Sequence, residues 1–209
     1  MSELEFLELA KSAETEAVRT ALSENPTLAD VRDNEGVSAL MWALYYSRNE
    51  NAVAIRERRN AIDLFEAASL GDVETLVGLL AENPNLANVP SPDGFHPLGL
   101  AAYFGQEACI APLLAAGANP NLHSANTMKF APLHSALGGH HYDIAKALVR
   151  AGADVNLPSG EGWTSLHYAA DLGDEDMAQF LMENGGDPTI QGPKEMTPSE
   201  FAIHVGHDH

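Results

Sequence analysis

Apolar residues recur along the chain in pairs of short stretches with helical spacing, separated by turns that are rich in glycine and asparagine. In residues 162–188, two such stretches are broken at Gly173 and followed by the polar sequence GGDP. Residues 96–121 and 131–156 repeat the same order of features. Helical apolar spacing predicts amphipathic α-helices, and self-similarity with a period of about 33 residues predicts a stack of two-helix units.

One inward-facing position of the first helix in each pair can be followed through the whole chain. Successive positions lie 34, 24, 34, 35, 33 and 33 residues apart. This spacing predicts six units and a C-terminal partial one, with a second unit about ten residues shorter than the others. The positions are Phe6, Leu40, Leu64, Leu98, Leu133, Leu166 and, in the last unit, the polar Ser199.

We expect a single domain over residues 1–209. The acidic outer face of the first unit suits a cap, because a terminal unit has no neighbour stacked on that face. In the shortened unit no glycine closer appears, so we expect its second helix, near residues 51–59, to pass almost directly into a helix near Ala61. The expected divisions are an N-terminal cap (4–33), the shortened unit (34–60), units at 61–92, 93–127, 128–158 and 159–191, and a C-terminal cap (192–209).

The turns that open the units share a motif. It reads Pro97-Leu98, Pro132-Leu133-His134, Thr164-Ser165-Leu166-His167 and Thr197-Pro198, and Gly-Ala-Asn or Gly-Ala-Asp closers begin at Gly117 and Gly152. In this the chain resembles ankyrin repeats of a bacterial-type array, whose unit is a β-turn followed by two helices. The resemblance implies an all-α ankyrin-repeat solenoid of helix-turn-helix units with β-turn fingers. It also implies that His134 and His167 form hydrogen bonds within the turns and tie adjacent units together.

One opening turn departs from the pattern. The connection between residues 121 and 132 is two residues longer than its counterpart between 156 and 165. Within it, Lys129 stands where three sister turns carry glycine, so we expect a different turn type there. The three glycines are Gly36, Gly94 and Gly162.

The charge of the chain limits the classes of partner. Thirty acidic residues against eleven basic ones give a net charge of −19, which repels phosphate backbones and argues against nucleic acid. An acidic surface could steer a basic protein or peptide, or it could be a solubilising coat or a salt adaptation. No apolar run is long enough to span a membrane, and the N-terminus lacks a signal pattern. The single Cys109 fits a reducing compartment, so we expect a cytoplasmic, monomeric protein.

Nine histidines raise the question of metal binding or catalysis. His140 and His141 are adjacent, so on a helix their side chains diverge and cannot easily share a metal ion. The tail with His204, His207 and His209 could take up zinc or nickel incidentally, since a terminus supplies no supporting second shell. No phosphate loop, paired-cysteine motif or nucleophile–base arrangement is present. The sequence therefore predicts no catalytic residue, no metal site and no cofactor.

The resemblance also implies where a partner would bind. In ankyrin proteins the partner meets the turn residue two before the proline position and the two residues before the mid-unit glycine. Aromatic residues at such solvent-side positions indicate a contact face, although the same rings could instead pack on neighbouring turns. The candidate contact residues are Tyr45, Tyr46, Phe95, Tyr103, Phe104, Phe130, Trp163 and Asp171.

These observations predict a non-catalytic scaffold that binds a protein or peptide on a concave face formed by the turns and first helices. Asp93, Glu161 and Asp171 lie beside the aromatic positions, so a partner with apolar anchors and basic flanks would suit the face. The alternative is an accessory protein that binds a small molecule or a metal, or an enzyme built on the array.

Overall fold

The computed structural model describes residues 1–206, so the predicted histidines at 207 and 209 lie outside the described part of the chain. Over residues 1–206 the fold has thirteen α-helices, three short 3₁₀ helices and no β-sheet; one isolated antiparallel bridge joins Arg32 and Ser38. The α-helices are α1 (Glu3–Ala10), α2 (Thr15–Glu24), α3 (Ala39–Tyr45), α4 (Asn49–Arg56), α5 (Leu64–Leu70), α6 (Val73–Glu82), α7 (Pro97–Tyr103), α8 (Glu107–Ala115), α9 (Pro132–Gly138), α10 (Tyr142–Arg150), α11 (Ser165–Leu172), α12 (Glu175–Glu183) and α13 (Pro198–Val205). This is the all-α solenoid that the sequence predicts.

The helices pack in successive pairs, and the odd-numbered helix of each pair contacts the odd-numbered helices before and after it. One continuous apolar core follows this stack from α1 to α12. Six inward positions predicted from the repeat period are at most 4% exposed, whereas Ser199 of α13 is exposed. Burial of an apolar side chain stabilises the fold by about 1.5–3 kcal/mol, so these positions hold each unit to its neighbours.

Hairpin-like fingers join each pair of helices to the next. The N–H of Ser91 donates to the carbonyl of Phe95 (2.8 Å), and the N–H of Ser159 donates to that of Trp163 (2.8 Å). In the longer connection, the N–H of Ser124 donates to the carbonyl of Phe130 (2.8 Å), so this finger is two residues wider. Lys129 has a positive φ of 46°, and the glycines at the equivalent positions of the sister turns also have positive φ values. Lys129 therefore takes the positive φ of the glycines it replaces, and this finger differs from its sisters in length.

Asparagine side chains link consecutive unit ends. Asn121 donates from Nδ2 to the carbonyl of Gly152 (3.0 Å) and accepts at Oδ1 from the N–H of Asp154 (2.7 Å). Asn88 makes the same pair of bonds to residues 117 and 119, and Asn156 makes it to residues 185 and 187. Each asparagine thus fixes the turn of the following unit at a spacing of 29 to 31 residues.

The second unit differs from the sequence prediction at both ends of its second helix. Helix α4 covers Asn49–Arg56 instead of 51–59, and seven residues separate it from α5, which begins at Leu64 instead of Ala61. The start is fixed by the buried Asn51, whose Nδ2 donates to the carbonyls of Ala10 (3.0 Å) and Ser12 (2.8 Å). The extra connection carries Arg59 into the interior, where it meets α5.

Candidate functional site

Two histidines fasten the fingers to the helices that follow them. His134 accepts the N–H of Ala131 at Nδ1 (3.0 Å), so Nε2 carries the proton and donates to the carbonyl of Leu157 in the next unit (2.9 Å). His167 likewise accepts from Thr164 at Nδ1 and donates from Nε2 to the carbonyl of Met196 (3.0 Å). Both side chains are buried. The hydrogen bonding that the resemblance implies for these histidines is present.

Burial also decides the protonation of these two side chains. It lowers the pKa of His134 to about 4, against a partly opposing effect of the hydrogen bond to Leu157. Burial lowers the pKa of His167 in the same way, opposed by the bond to Met196. A neutral imidazole is required at both positions, because Nδ1 must accept a hydrogen bond from an N–H group. The geometry accordingly assigns them a role in the fold.

The surface formed by the finger tips and the odd-numbered helices is here called the inner face. At its N-terminal end lies a group of rings in mutual contact. Tyr45 packs against Trp42 (ring centroids 6.0 Å apart) and Phe104 (5.5 Å), and Phe104 packs edge-on against Tyr103 (5.1 Å). Tyr46, which is 50% exposed, stands beside Trp42 (6.2 Å). Four predicted contact residues are therefore brought together here.

A second group of rings lies at the C-terminal end of the inner face. Trp163 packs against Tyr168 (5.2 Å) and against Phe201 of α13 (4.9 Å). Phe130 meets Tyr168 edge-on (6.2 Å). Burial and the nearby charges of Glu161 and Asp171 raise the pKa of Tyr168 to about 12, so its hydroxyl stays neutral. Since Trp163 covers the last helix, its ring contributes to closing the stack.

Between the two groups of rings the inner face opens into a groove of about 430 Å³. The finger before α7 and the finger before α9 form its walls, and the floor includes Gly99 of α7 and Ser135 of α9. Most of the exposed lining is apolar. The groove is lined by Trp42, Tyr45, Asp93, Phe95, Gly99, Leu100, Tyr103, Asn126, Met128, Phe130 and Ser135.

Three polar residues of the groove already form hydrogen bonds within the protein. Tyr45 donates its hydroxyl hydrogen to Asp93 Oδ2, and Ser91 donates to Asp93 Oδ1. Burial and the charge of Asp93 raise the pKa of Tyr45, which keeps that hydroxyl protonated as the donor. Asn126 donates from Nδ2 to the carbonyl of Asp93 (2.9 Å), so the same residues also connect two fingers.

The structure thus collects four of the predicted contact residues at the groove and leaves four outside it. Tyr45, Phe95, Tyr103 and Phe130 line the groove. Tyr46 and Phe104 adjoin it through Trp42 and Tyr45, whereas Trp163 and the exposed Asp171 lie with the C-terminal rings. Sequence reasoning did not single out Trp42, Gly99, Leu100 or Ser135, although the small residues at 99 and 135 stand where other first helices carry larger ones.

Among residues 1–206, no group of three or more histidine, cysteine or carboxylate side chains is arranged to hold a metal ion. In the same part of the chain no helix is long and apolar enough to cross a membrane. The lone Cys109 is buried, and burial raises the pKa of its thiol, so the thiolate form is disfavoured.

Helix pairs joined by fingers, linked by repeated histidine and asparagine bonds, define a repeat solenoid. The chain belongs to the ankyrin-repeat family: the family model for ankyrin repeats (three copies) matches residues 64–159 and 123–192. Ankyrin repeats generally serve as protein–protein interaction modules, and this chain shares that architecture.

Several known proteins are similar to this chain over part of their length. A putative ankyrin repeat protein FPV014 of fowlpox virus is 32% identical over 127 residues, which is 60% of this chain and 29% of that protein. The rat ankyrin repeat and SAM domain-containing protein 6 is 30% identical over 151 residues (66% and 16%). The human 2-5A-dependent ribonuclease is 33% identical over 75 residues (35% and 10%). The chain spans less than a third of each of these relatives, so the similarity concerns the repeats.

Proposed function

We propose that this chain is a non-catalytic scaffold that binds a partner protein or peptide on its inner face. The observation that carries the proposal is the exposure of large apolar side chains around the groove. Tyr103 is 42% exposed and Met128 is 43% exposed, beside the half-exposed Tyr46. Exposed apolar side chains that cluster beside a concave surface are typical of interaction sites, and aromatic residues dominate their binding energy.

The eight contact residues predicted from the sequence divide between two roles in this proposal. Tyr45, Phe95, Tyr103 and Phe130 form the walls that receive the partner, with Tyr46 and Phe104 beside them. Trp163 and Asp171 lie at the C-terminal end of the surface, where the partner would leave the groove. Because Trp163 packs on Phe201, we expect its truncation to cost stability as well as affinity.

Charge favours a partner with basic residues on either side of its apolar anchors. The net charge of −19 would steer such a segment toward the protein and raise its association rate at low salt. Asp93 accepts hydrogen bonds from Tyr45 and Ser91 at both carboxylate oxygens, so its charge would act through the field and not through a close ion pair. We further propose that the protein acts as a monomer in the cytoplasm, consistent with its single buried cysteine.

Binding of a small molecule is the second candidate, and the volume of the groove is the observation that favours it. About 430 Å³ lies within the range of about 300–1,000 Å³ that is usual for small-ligand pockets. The groove is continuous with the exposed rings of the inner face, which a small molecule would leave uncovered. This continuity makes a peptide or protein the better match.

The test is to truncate rings that differ in packing and to measure thermal stability and partner affinity on the same samples. Partners captured from source lysate are identified by mass spectrometry and then bound individually. Tyr103→Ala and Phe130→Ala should each weaken binding at least tenfold, because hot-spot aromatics typically contribute about 2 kcal/mol or more. Val77→Ala, which truncates an exposed side chain on α6, is the control. Full affinity in both aromatic variants, with a lowered melting temperature, would make the rings structural and sink the proposal.

A further inference from the structure

The groove on the inner face exists because one helix lacks a large side chain. From α7 onward, the fourth residue of each first helix is Leu100, Ser135, Tyr168 and then Phe201. Ser135 is the one small residue in this series, and it lies on the floor of the groove next to Gly99. A β-carbon at Gly99 would sit 3.5 Å from the Ser135 hydroxyl, so the two residues form a continuous floor without side-chain bulk.

The polar side-chain group of this floor is the Ser135 hydroxyl. Ser135 is 2% exposed and lines the groove. Its backbone carries the bonds of the helix turn, with its N–H donating to the carbonyl of Ala131 (3.2 Å) and its carbonyl accepting from the N–H of Gly139 (3.0 Å). A serine hydroxyl offers one donor and two acceptor lone pairs. Leaving it unsatisfied under an apolar cover would be unfavourable, so an occupant of the groove must either bring a polar atom to it or leave it wet.

The walls of the groove are aromatic on both sides. Phe95 and Tyr103 come from one unit, and Phe130 comes from the next. Aromatic rings prefer edge-to-face or offset contacts with another ring at centroid distances of about 4.5–7 Å. The neighbouring ring pairs of this face already show such geometry, for example Phe130 with Tyr168. A further ring entering above Ser135 would extend the same packing.

We propose that the groove is an anchor site for one aromatic side chain with a polar tip, a tyrosine or tryptophan of a partner peptide, whose O–H or N–H reaches the Ser135 hydroxyl. This rests on the proposed function and specifies the occupant of its central site. The peptide source follows from the open continuity of the groove with the exposed Tyr46 and Tyr103. The acidic surface calls for basic residues beside the anchor.

The first experiment uses side-chain analogues on the full chain, followed by amide chemical shifts. The probes are p-cresol for tyrosine, indole for tryptophan, and toluene as the analogue without a polar group. We expect saturable shifts at Gly99, Leu100 and Ser135, and a Kd for p-cresol at least threefold below that of toluene. Shifts that map elsewhere, or equal binding of p-cresol and toluene, would overturn the assignment.

Two substitutions of the same residue separate shape from hydrogen bonding. Ser135→Phe supplies the missing ring and should abolish binding of all three probes without lowering the melting temperature. Ser135→Ala keeps the space but removes the hydroxyl, so the affinity for p-cresol should fall to the affinity for toluene. If the phenylalanine variant fails to fold, Ser135→Val is used instead. It fills part of the space and should weaken the binding of every probe. Retained binding in a folded, filled variant contradicts the proposal.

A second experiment distinguishes this inference from the proposed function. A phage-displayed library of random 12-residue peptides is selected on the wild-type chain and counter-selected on Ser135→Phe. Enrichment of sequences with one tyrosine or tryptophan between basic residues supports both proposals. Peptides without an aromatic residue that bind both chains equally would leave the scaffold function standing and refute the anchor. If p-cresol binds more tightly than every selected peptide, the groove belongs to a free aromatic ligand and the peptide assignment is wrong.

Discussion

At the start of α5, and at the starts of α9 and α11, a buried side chain accepts a backbone N–H and also contacts a neighbouring unit. The side chain is a glutamate in α5 and a histidine in α9 and α11. In α9 the neutral His134 accepts a backbone N–H and donates forward to the finger of the next unit. In α5 the buried Glu66 accepts the N–H of Asp63 (3.0 Å) and faces backward to Arg59, with Arg32 3.6 Å away. Arg59 also lies 3.1 Å from Asp30. The histidines tie a unit to its successor, whereas the ion pair ties it to the units before it.

This difference explains how the short second unit remains attached. Its connection lacks a glycine closer and an asparagine link, and Arg59 supplies the contact to α5 instead. A buried ion pair is costly to desolvate, so it holds the junction only while both partners and their hydrogen bonds are present. The junction between the second and third units should therefore be more sensitive to a single substitution than the histidine junctions.

The largest expected effect is the loss of the counter-charge at this junction. Glu66→Gln keeps the shape and can still accept from Asp63, but it removes the buried counter-charge of Arg59 and leaves the exposed Asp30 as the remaining carboxylate beside it. We expect the free energy of unfolding to fall by about 3–5 kcal/mol in urea titrations. Arg58→Gln, at an exposed arginine one residue away, is the matched control and should change stability by less than about 0.5 kcal/mol.

A double variant tests whether the loss comes from an unpaired buried charge. Arg59→Met with Glu66→Leu replaces the pair by apolar side chains and should recover much of the loss, since hydrophobic replacements of buried pairs are often neutral. If Glu66→Gln is as stable as the wild type, the ion pair does not hold the junction.

The next effect concerns pH at the histidine junctions. The pKa of His134 in the folded protein is about 4, below the ordinary value of about 6.5, so the unfolded chain binds the proton more readily. Its contribution to stability is therefore complete above pH 6.5 and is lost as the pH falls toward 4. Between pH 7 and pH 5 we expect a loss of about 2 kcal/mol from this group, with His167 adding to it in the same direction.

Urea titrations at pH 7 and pH 5 on His134→Gln measure this contribution. The variant should be less stable at pH 7 but should lose less stability on acidification than the wild type. His140→Gln, at an exposed histidine of the same unit, should retain the full pH dependence. If His134→Gln loses as much stability between pH 7 and pH 5 as the wild type does, another group causes the loss of stability in acid.

The smallest effect is the local opening of the second unit. Amides of residues 49–60 should exchange with solvent about tenfold faster than those of residues 166–181, because each unit is held only by its neighbours and this one has the shorter interface. Native-state hydrogen exchange followed by mass spectrometry compares the two segments in one sample. Equal protection would mean that the ion pair compensates fully for the missing residues.

The repeat period was sufficient to predict the helix pairs and the buried position of residues such as Leu133 and Leu166. It failed between α4 and α5, because the contact of Arg59 with Glu66 crosses unit boundaries and leaves no periodic signal. Contact residues such as Tyr103 and Phe130 could be proposed from their positions in the unit. The groove between them could not, because it follows from the lack of large side chains at Gly99 and Ser135, which only the packing of neighbouring units turns into a space.

The asparagine links also bear on how the array can lengthen. A segment from residue 122 to 156 begins just after one linking asparagine and ends with the next, Asn156. If this segment were copied in tandem, Asn156 of the first copy would face Gly152 of the second at the same 31-residue spacing that now separates Asn121 from Gly152. The asparagine bonds at the new junction would then keep the register of the present one. Residues 34–60 have no such link, so this way of adding a unit belongs to the part of the molecule from Asn88 onward, where the linking asparagines lie.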